Sequence, residues 1–203
     1  MKNILCYGDS NTWGCKPGVL SRFPADVRWT GILANKLGDD YYVIEDGING
    51  RSTAWEDPTN LCRNGIAGLG YALYRSKPLD LVIVMLGTND LNYTDAEGYY
   101  HGIKLLAKQI LQANTSFPGT SDVFPDKTRL LLISPIEETP EMPAYEESRK
   151  LAYYPERVAK ELDVPWLDAA KYAKPSPLDG CHMEAQYHLT LGQAIYEKVK
   201  EIL

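Results

Sequence analysis

The sequence predicts a three-layer α/β/α sandwich on about five parallel strands. Three observations lead there. Short apolar runs alternate along the chain with stretches of helical periodicity, as expected of β-α-β units with right-handed crossovers. The strongest run, Leu79 to Leu86, is apolar at every position but Asp80, which suits a strand covered on both faces. Each of the first three runs ends on a glycine (Gly8, Gly47 or Gly87), which punctuates the strand.

Ile4-Leu5-Cys6-Tyr7 is the first strand. A helix over Trp29 to Leu37 puts Trp29, Ile32, Leu33 and Leu37 on one face. Tyr41 to Glu45 is the second strand, and Leu61 to Tyr74 a glycine-rich helix. After the third strand, Ile103, Leu106, Ala107 and Ile110 mark a helix over Tyr99 to Asn114. Arg129 to Ser134 is a fourth strand, stopped by Pro135, and Glu137 to Pro143 an acidic, proline-rich loop. Ser148 to Leu162 is a helix with a bend expected at Pro155. Val164 to Leu167 is a short fifth strand. A terminal helix over Met183 to Leu203 turns Ala185, Leu189, Gly192, Ile195, Val199 and Ile202 toward the core.

The 203 residues suit one domain spanning 1–203, with no repeat or linker to divide it. Hydrophobic residues make up 44% and charged residues 24%, enough to bury a core. The net charge of −6, with no dense basic run, argues against a nucleic-acid partner. Cys6, Cys15, Cys62 and Cys181 form no C-x-x-C pair, so no metal site is expected. The apolar stretch near the start is too short for a secretory leader, and no run could span a bilayer. The expectation is a cytoplasmic protein without a membrane partner.

In parallel α/β sheets, ligands bind beyond the carboxyl ends of the strands. Gly8-Asp9-Ser10-Asn11-Thr12-Trp13-Gly14 follows the first strand, Gly47-Ile48-Asn49-Gly50-Arg51 the second, and Gly87-Thr88-Asn89-Asp90 the third. Asp179-Gly180-Cys181-His182 lies near the end of the chain. A serine after a strand is usually a turn or cap residue. Here, however, a hydroxyl, a glycine backbone, an amide and an imidazole with a nearby carboxylate would meet at one sheet edge. Those are the parts of an acyl-transfer site. A serine hydroxyl needs an adjacent base, and a third group orients that base. Ser10, His182 and Asp179 fit these roles. The Ser10 N–H, the Gly50 N–H and the Asn89 amide are candidate donors to a developing oxyanion. Asp9 and Asp90 read as residues that tie their turns together. Trp13 and Trp55 are candidates to border an acyl pocket.

In this order, the blocks Gly8-Asp9-Ser10, Ile48-Asn49-Gly50, Gly87-Thr88-Asn89-Asp90 and Asp179-x-x-His182 resemble the SGNH (GDSL-type) hydrolase superfamily over nearly the whole chain. The longer strings Gly8 to Gly14, Asp26-Val27-Arg28-Trp29, Leu79 to Asp90 and Asp179 to Gly192 are similar to its arylesterase/acyltransferase branch. The resemblance implies a flavodoxin-like fold and a serine esterase with no cofactor, with Ser10, Gly50, Asn89 and His182 as the namesake residues. It also implies a small-molecule ester substrate, with acyl transfer to alcohols as a companion reaction, and a homo-oligomer. Asn11 stands where that family usually has leucine, a departure expected to alter packing rather than chemistry. Some of the branch has alanine where Gly50 stands.

Three histidines compete for the base. His101 falls on a helix away from the other blocks. His188-Leu189-Thr190 imitates the string that often follows the catalytic histidine in that superfamily, but Ala185 holds the place of the acid. His182 is therefore preferred. Simple or aryl esters and acetylated sugars are the favoured substrates, with lysophospholipids or thioesters last. The rival from another class is a phosphate- or flavin-binding module using the Gly8–Gly14 loop; it has no G-x-x-x-x-G-K-[ST] string and leaves Asp179-x-x-His182 without a purpose.

Overall fold

The computed structural model describes residues 1–19, 21–116 and 121–203. Strands β1 (Lys2–Gly8), β2 (Tyr41–Gly47), β3 (Leu81–Met85), β4 (Leu130–Ser134) and β5 (Trp166–Asp168) form one parallel sheet in the order β2-β1-β3-β4-β5. This is the flavodoxin-like order expected of a doubly wound fold. The helices are α1 (Ser10–Trp13), α2 (Trp29–Leu37), α3 (Gly65–Ser76), α4 (Ala96–Leu111), α5 (Ala113–Ser116), α6 (Tyr145–Ser148), α7 (Tyr153–Leu162) and α8 (Ala185–Ile202).

The strand period of two sorts the core into two layers. Leu5 and Tyr7 of β1, with Val82 and Val84 of β3, pack under α3, α4 and α7. Ile4 and Cys6, with Leu81, Ile83 and Met85, face α2 and α8 on the other side. All five residues of β3 and of β4 are buried, as the uniform apolar runs required. Gly192 lets α8 lie close on α2: a Cβ there would come within 2.9 Å of Ile32 and 3.1 Å of the Trp29 carbonyl.

Three helix expectations need correction. Helix α3 begins at Gly65, because Asn64 caps it by accepting from the Ala67 N–H at 3.1 Å; Leu61 lies outside it and is 91% exposed. The stretch from Ser148 divides into α6 and α7. Pro155 then falls in the first turn of α7, where N–H groups lack intrahelical acceptors anyway, so it starts a helix instead of bending one. In α8 the buried stripe is His188, Leu191, Gly192, Ile195 and Val199. Ala185 and Leu189 lie off that stripe and are exposed; Leu189 sits one residue on from His188, about 100° further round the helix, and is 55% exposed.

Registers set the site. Gly8 pairs with Gly47 and with Met85, so β1, β2 and β3 end at one level. The loops carrying Ser10, Gly50 and Asn89 therefore leave the sheet side by side.

Candidate active site

Ser10 is the first residue of α1, directly beyond β1. The chain turns there without a gap: Trp13 N–H donates to the Asp9 carbonyl at 2.8 Å, and Gly14 N–H to the Ser10 carbonyl at 2.9 Å. Gly8 has to be glycine, since a Cβ would lie 2.0 Å from Thr12 Oγ1. Asp9 caps the turn by accepting from the Asn11 N–H at 2.9 Å. Burial pushes the Asp9 carboxyl up to about 6, against the opposing pull of the Asn11 N–H, His182 and Arg51.

Across from this turn, residues Asp179 to Met183 bring the imidazole to the hydroxyl. His182 Nε2 lies 3.0 Å from Ser10 Oγ, and Nδ1 lies 2.9 Å from Asp179 Oδ2. Asp179 Oδ2 also accepts from the Gly18 N–H at 2.8 Å, while Oδ1 accepts from the N–H groups of His182 at 3.1 Å and Cys181 at 3.3 Å. Partial burial raises the Asp179 pKa, but the bonds from Gly18 and His182 outweigh it and hold the group below the usual carboxylate value. It is thus an anion at neutral pH, engaged with its neighbours at both oxygens.

The second and third loops supply donors. Gly50 has φ +80°, and a Cβ there would run 2.6 Å from Arg63 Nε. An alanine at this position, which the resemblance tolerates, would be strained in this chain. Among the described residues, neither the Ser10 N–H nor the Gly50 N–H has an intramolecular acceptor. Asn89 Nδ2 donates to the Arg51 carbonyl at 3.1 Å. An amide nitrogen carries two hydrogens, so this bond fixes the group and leaves the other hydrogen to donate.

Behind these loops lies a buried polar frame. The Arg51 side chain is 3% exposed. It donates to the carbonyls of Gly8 at 3.0 Å and Asp46 at 2.6 Å, pairs with Asp46 Oδ1 at 2.7 Å, and stacks on Tyr7 at 3.9 Å. Loss of one partner from so buried a pair costs about 3–5 kcal/mol. Asp90 is fully buried and accepts from the Thr53 N–H at 2.9 Å and from the Thr53 hydroxyl. Burial pushes its carboxyl up to about 7, which the Thr53 bonds partly oppose. Asp9 thus ties its own turn as the sequence suggests, whereas the Asp90 side chain ties the loop after β3 to Thr53 in the loop after β2.

The rival histidines are placed elsewhere. The His101 side chain is 72% exposed and sits 4.0 Å from Glu97. His188 is fully buried; its Nδ1 accepts from the Trp29 N–H at 3.3 Å, and its ring meets Phe23 edge-on at 5.3 Å. Burial, helped by the nearby Arg28 and His182, lowers its pKa to about 4, so it is a neutral core residue. Trp13 ends α1 with the Arg22 guanidinium 5.3 Å over its ring, and Trp55 lies five residues after Gly50 with its backbone N–H bonded to Ser52 Oγ at 3.0 Å.

One group among the described residues has the spacing of a metal site: ligand atoms of Asp179, Cys181 and His182 lie within 4.8 Å of one another. Burial, with Asp179 and Glu138 nearby, pushes the Cys181 thiol up to about 12. A metal there would have to displace that proton and break the Asp179–His182 bond, so the donor set does not fit a resident ion.

Two features escaped the sequence reading. Arg51 is a buried cation whose partners belong to two strand ends, which no local pattern announces. Asn11, expected to matter for packing, donates through Nδ2 to the Cys181 carbonyl at 3.0 Å, and its Oδ1 accepts from the Met183 N–H at 3.1 Å.

A model of the GDSL-like lipase/acylhydrolase family matches residues 6–196. The chain therefore belongs to that family and is a carboxylic ester hydrolase. Among solved structures it is similar to an aryl esterase from M. smegmatis, with 36% identity, TM-score 0.90 and 100% of both chains covered. It is similar too to a carbohydrate acetylesterase from Sinorhizobium meliloti, with 33% identity, TM-score 0.91 and again 100% of both chains covered. A lipolytic G-D-S-L family member from Veillonella parvula, 17% identical with TM-score 0.67 over 97% of each chain, shares the fold. No curated protein matches the chain.

Proposed function

We propose that Ser10 is the nucleophile of a serine esterase acting on short-chain, acetyl-type esters, with His182 as its base and Asp179 as the group that orients the base. The observation that carries this reading is the continuous chain Asp179–His182–Ser10, with links of 2.9 and 3.0 Å. Asp179 accepts a hydrogen bond from Nδ1–H, which keeps that proton on Nδ1 and leaves the Nε2 lone pair facing the Ser10 hydroxyl. Ser10 Oγ adds to the ester carbonyl as His182 takes its proton. The oxyanion is met by the Ser10 and Gly50 N–H groups and the second Asn89 amide hydrogen. His182 then protonates the leaving alcohol. Water, activated the same way, hydrolyses the acyl-enzyme; an alcohol in its place gives acyl transfer. Trp13 and Trp55 border the acyl group.

Acetylated sugars are a second reading, favoured by the similarity to a carbohydrate acetylesterase; lysophospholipids and thioesters rank below both. Among the described residues no helix is long and apolar enough to cross a membrane. Cys6, Cys15, Cys62 and Cys181 are all free thiols, which suits a reducing compartment, and we assign the protein to the cytoplasm. We extend the proposal to a homo-oligomer, on the resemblance to the arylesterase/acyltransferase branch. The test is hydrolysis of p-nitrophenyl acetate and of peracetylated xylose by the wild type and Ser10→Ala. Loss of both activities in a folded Ser10→Ala variant is expected; retained turnover would refute the assignment.

A further inference from the structure

We propose that Asn11 is a positioning residue: by bonding the backbone on both sides of His182, it holds the imidazole in register with Ser10. The inference rests on the assignment of Ser10 and His182 as nucleophile and base. Asn11 is the residue after Ser10, 4% exposed, and its own N–H is tied to Asp9. Its amide donates to the Cys181 carbonyl and accepts from the Met183 N–H, one residue to each side of His182. Among the described residues, the other hydrogen bond between the Ser10 turn and the His182 segment is Ser10–His182 itself. That bond joins two rotatable side chains and cannot fix the separation of the backbones that carry them. The Asn11 side chain does so, because its donor and acceptor clamp two peptide groups whose spacing is set by the single residue between them.

The remaining anchors of that segment run elsewhere. Asp179 receives the Gly18 N–H, Ser176 N–H donates to the His182 carbonyl at 2.7 Å, and Thr139 N–H donates to the Gly180 carbonyl at 2.9 Å. These hold the loop on the protein but leave its distance from Ser10 to Asn11. A leucine at position 11 would fill similar space with no polar atom, leaving the Cys181 carbonyl and the Met183 N–H unpaired. A displacement of about 1 Å between reacting groups costs ~100-fold in rate, so loss of this clamp is expected to act on turnover more than on substrate binding.

The experiment is a mutant cycle on p-nitrophenyl acetate turnover: wild type, Asn11→Leu, His182→Ala and the double variant. Asn11→Leu is expected to lower kcat by about 10- to 100-fold with KM within about twofold. In the His182→Ala background the same change is expected to alter the residual rate by less than about twofold, because nothing is left to position. Asn11→Asp keeps the acceptor for Met183 and replaces the donor to Cys181; it is expected to lower kcat in the same way, and it carries the cycle should Asn11→Leu not fold. An unchanged kcat, or an equal loss in both backgrounds, would overturn the proposal. Full turnover by His182→Ala alone would overturn the assignment of the base, and the role of Asn11 with it.

Discussion

Replacing Asp179 with asparagine exchanges one oxygen for an NH2 group and should remove most of the activity. The carboxylate accepts four hydrogen bonds, two at each oxygen: Gly18 N–H and His182 Nδ1 at Oδ2, His182 N–H and Cys181 N–H at Oδ1. An amide oxygen can keep only one of these pairs. If it takes the place of Oδ1, the NH2 group faces the Gly18 N–H and the imidazole. His182 can then bond only by presenting Nδ1 as an acceptor, which puts its proton on Nε2, pointing at Ser10 Oγ. A base with its proton on the wrong nitrogen cannot accept another from serine, and the known cost of such an inverted tautomer is about 10⁴ in kcat. At 1.36 kcal/mol per decade this is about 5.4 kcal/mol of transition-state stabilisation. If the oxygen instead takes the place of Oδ2, the NH2 faces two backbone N–H groups, and the loop carrying His182 loses the bonds that shape it. The first arrangement gives up the Gly18 bond and the second the two bonds at Oδ1, at about 1 kcal/mol each, a far smaller stability loss than the kinetic one. Steady-state kinetics on p-nitrophenyl acetate, with the melting temperature as control, separates the two. A folded Asp179→Asn variant within tenfold of wild-type kcat would refute the orienting role.

Other substitutions probe the remaining parts. Asn89→Ala should cost about 2.7–4 kcal/mol in kcat/KM if it removes one oxyanion donor; a loss confined to thermal stability would mark Asn89 as structural. His182→Ala should abolish turnover, whereas His188→Leu should keep kcat and lower the melting temperature, because it leaves the buried Trp29 N–H without its acceptor; the reverse pattern in parallel assays would exchange the two histidines. Gly50→Ala should lower stability by about 1 kcal/mol or more, since it forces a side chain to positive φ against Arg63, and chemical denaturation reads that loss directly.

Much of this was legible because it rests on periodicity and punctuation. Uniformly apolar β3 and β4, and glycines at the strand ends, carried the sheet, and the sheet alone carried the prediction that Ser10, Gly50 and Asn89 would share an edge. The Asp179-x-x-His182 spacing carried the choice between histidines, and the deep burial of His188 agrees with it. What escaped depended on contacts between distant segments. In the sequence Pro155 points to a bend, because its place in the first turn depends on where Tyr153 starts a helix, and that is set by packing. Periodicity turns Leu189 toward the core because one residue of helical phase separates it from His188, a polar residue that periodicity does not expect inside. Asn11 and Arg51 act through backbone groups of other loops, and backbone groups leave no trace in side-chain pattern.

The central claim is that one residue, Ser10, carries the acyl group, and intact-protein mass spectrometry after reaction with diethyl p-nitrophenyl phosphate tests it most directly. The account predicts a single diethyl phosphate adduct per chain, mapped by peptide sequencing to Ser10, formed in step with loss of esterase activity and absent from Ser10→Ala. An adduct on another residue, or undiminished labelling of Ser10→Ala with matching inactivation, would contradict it.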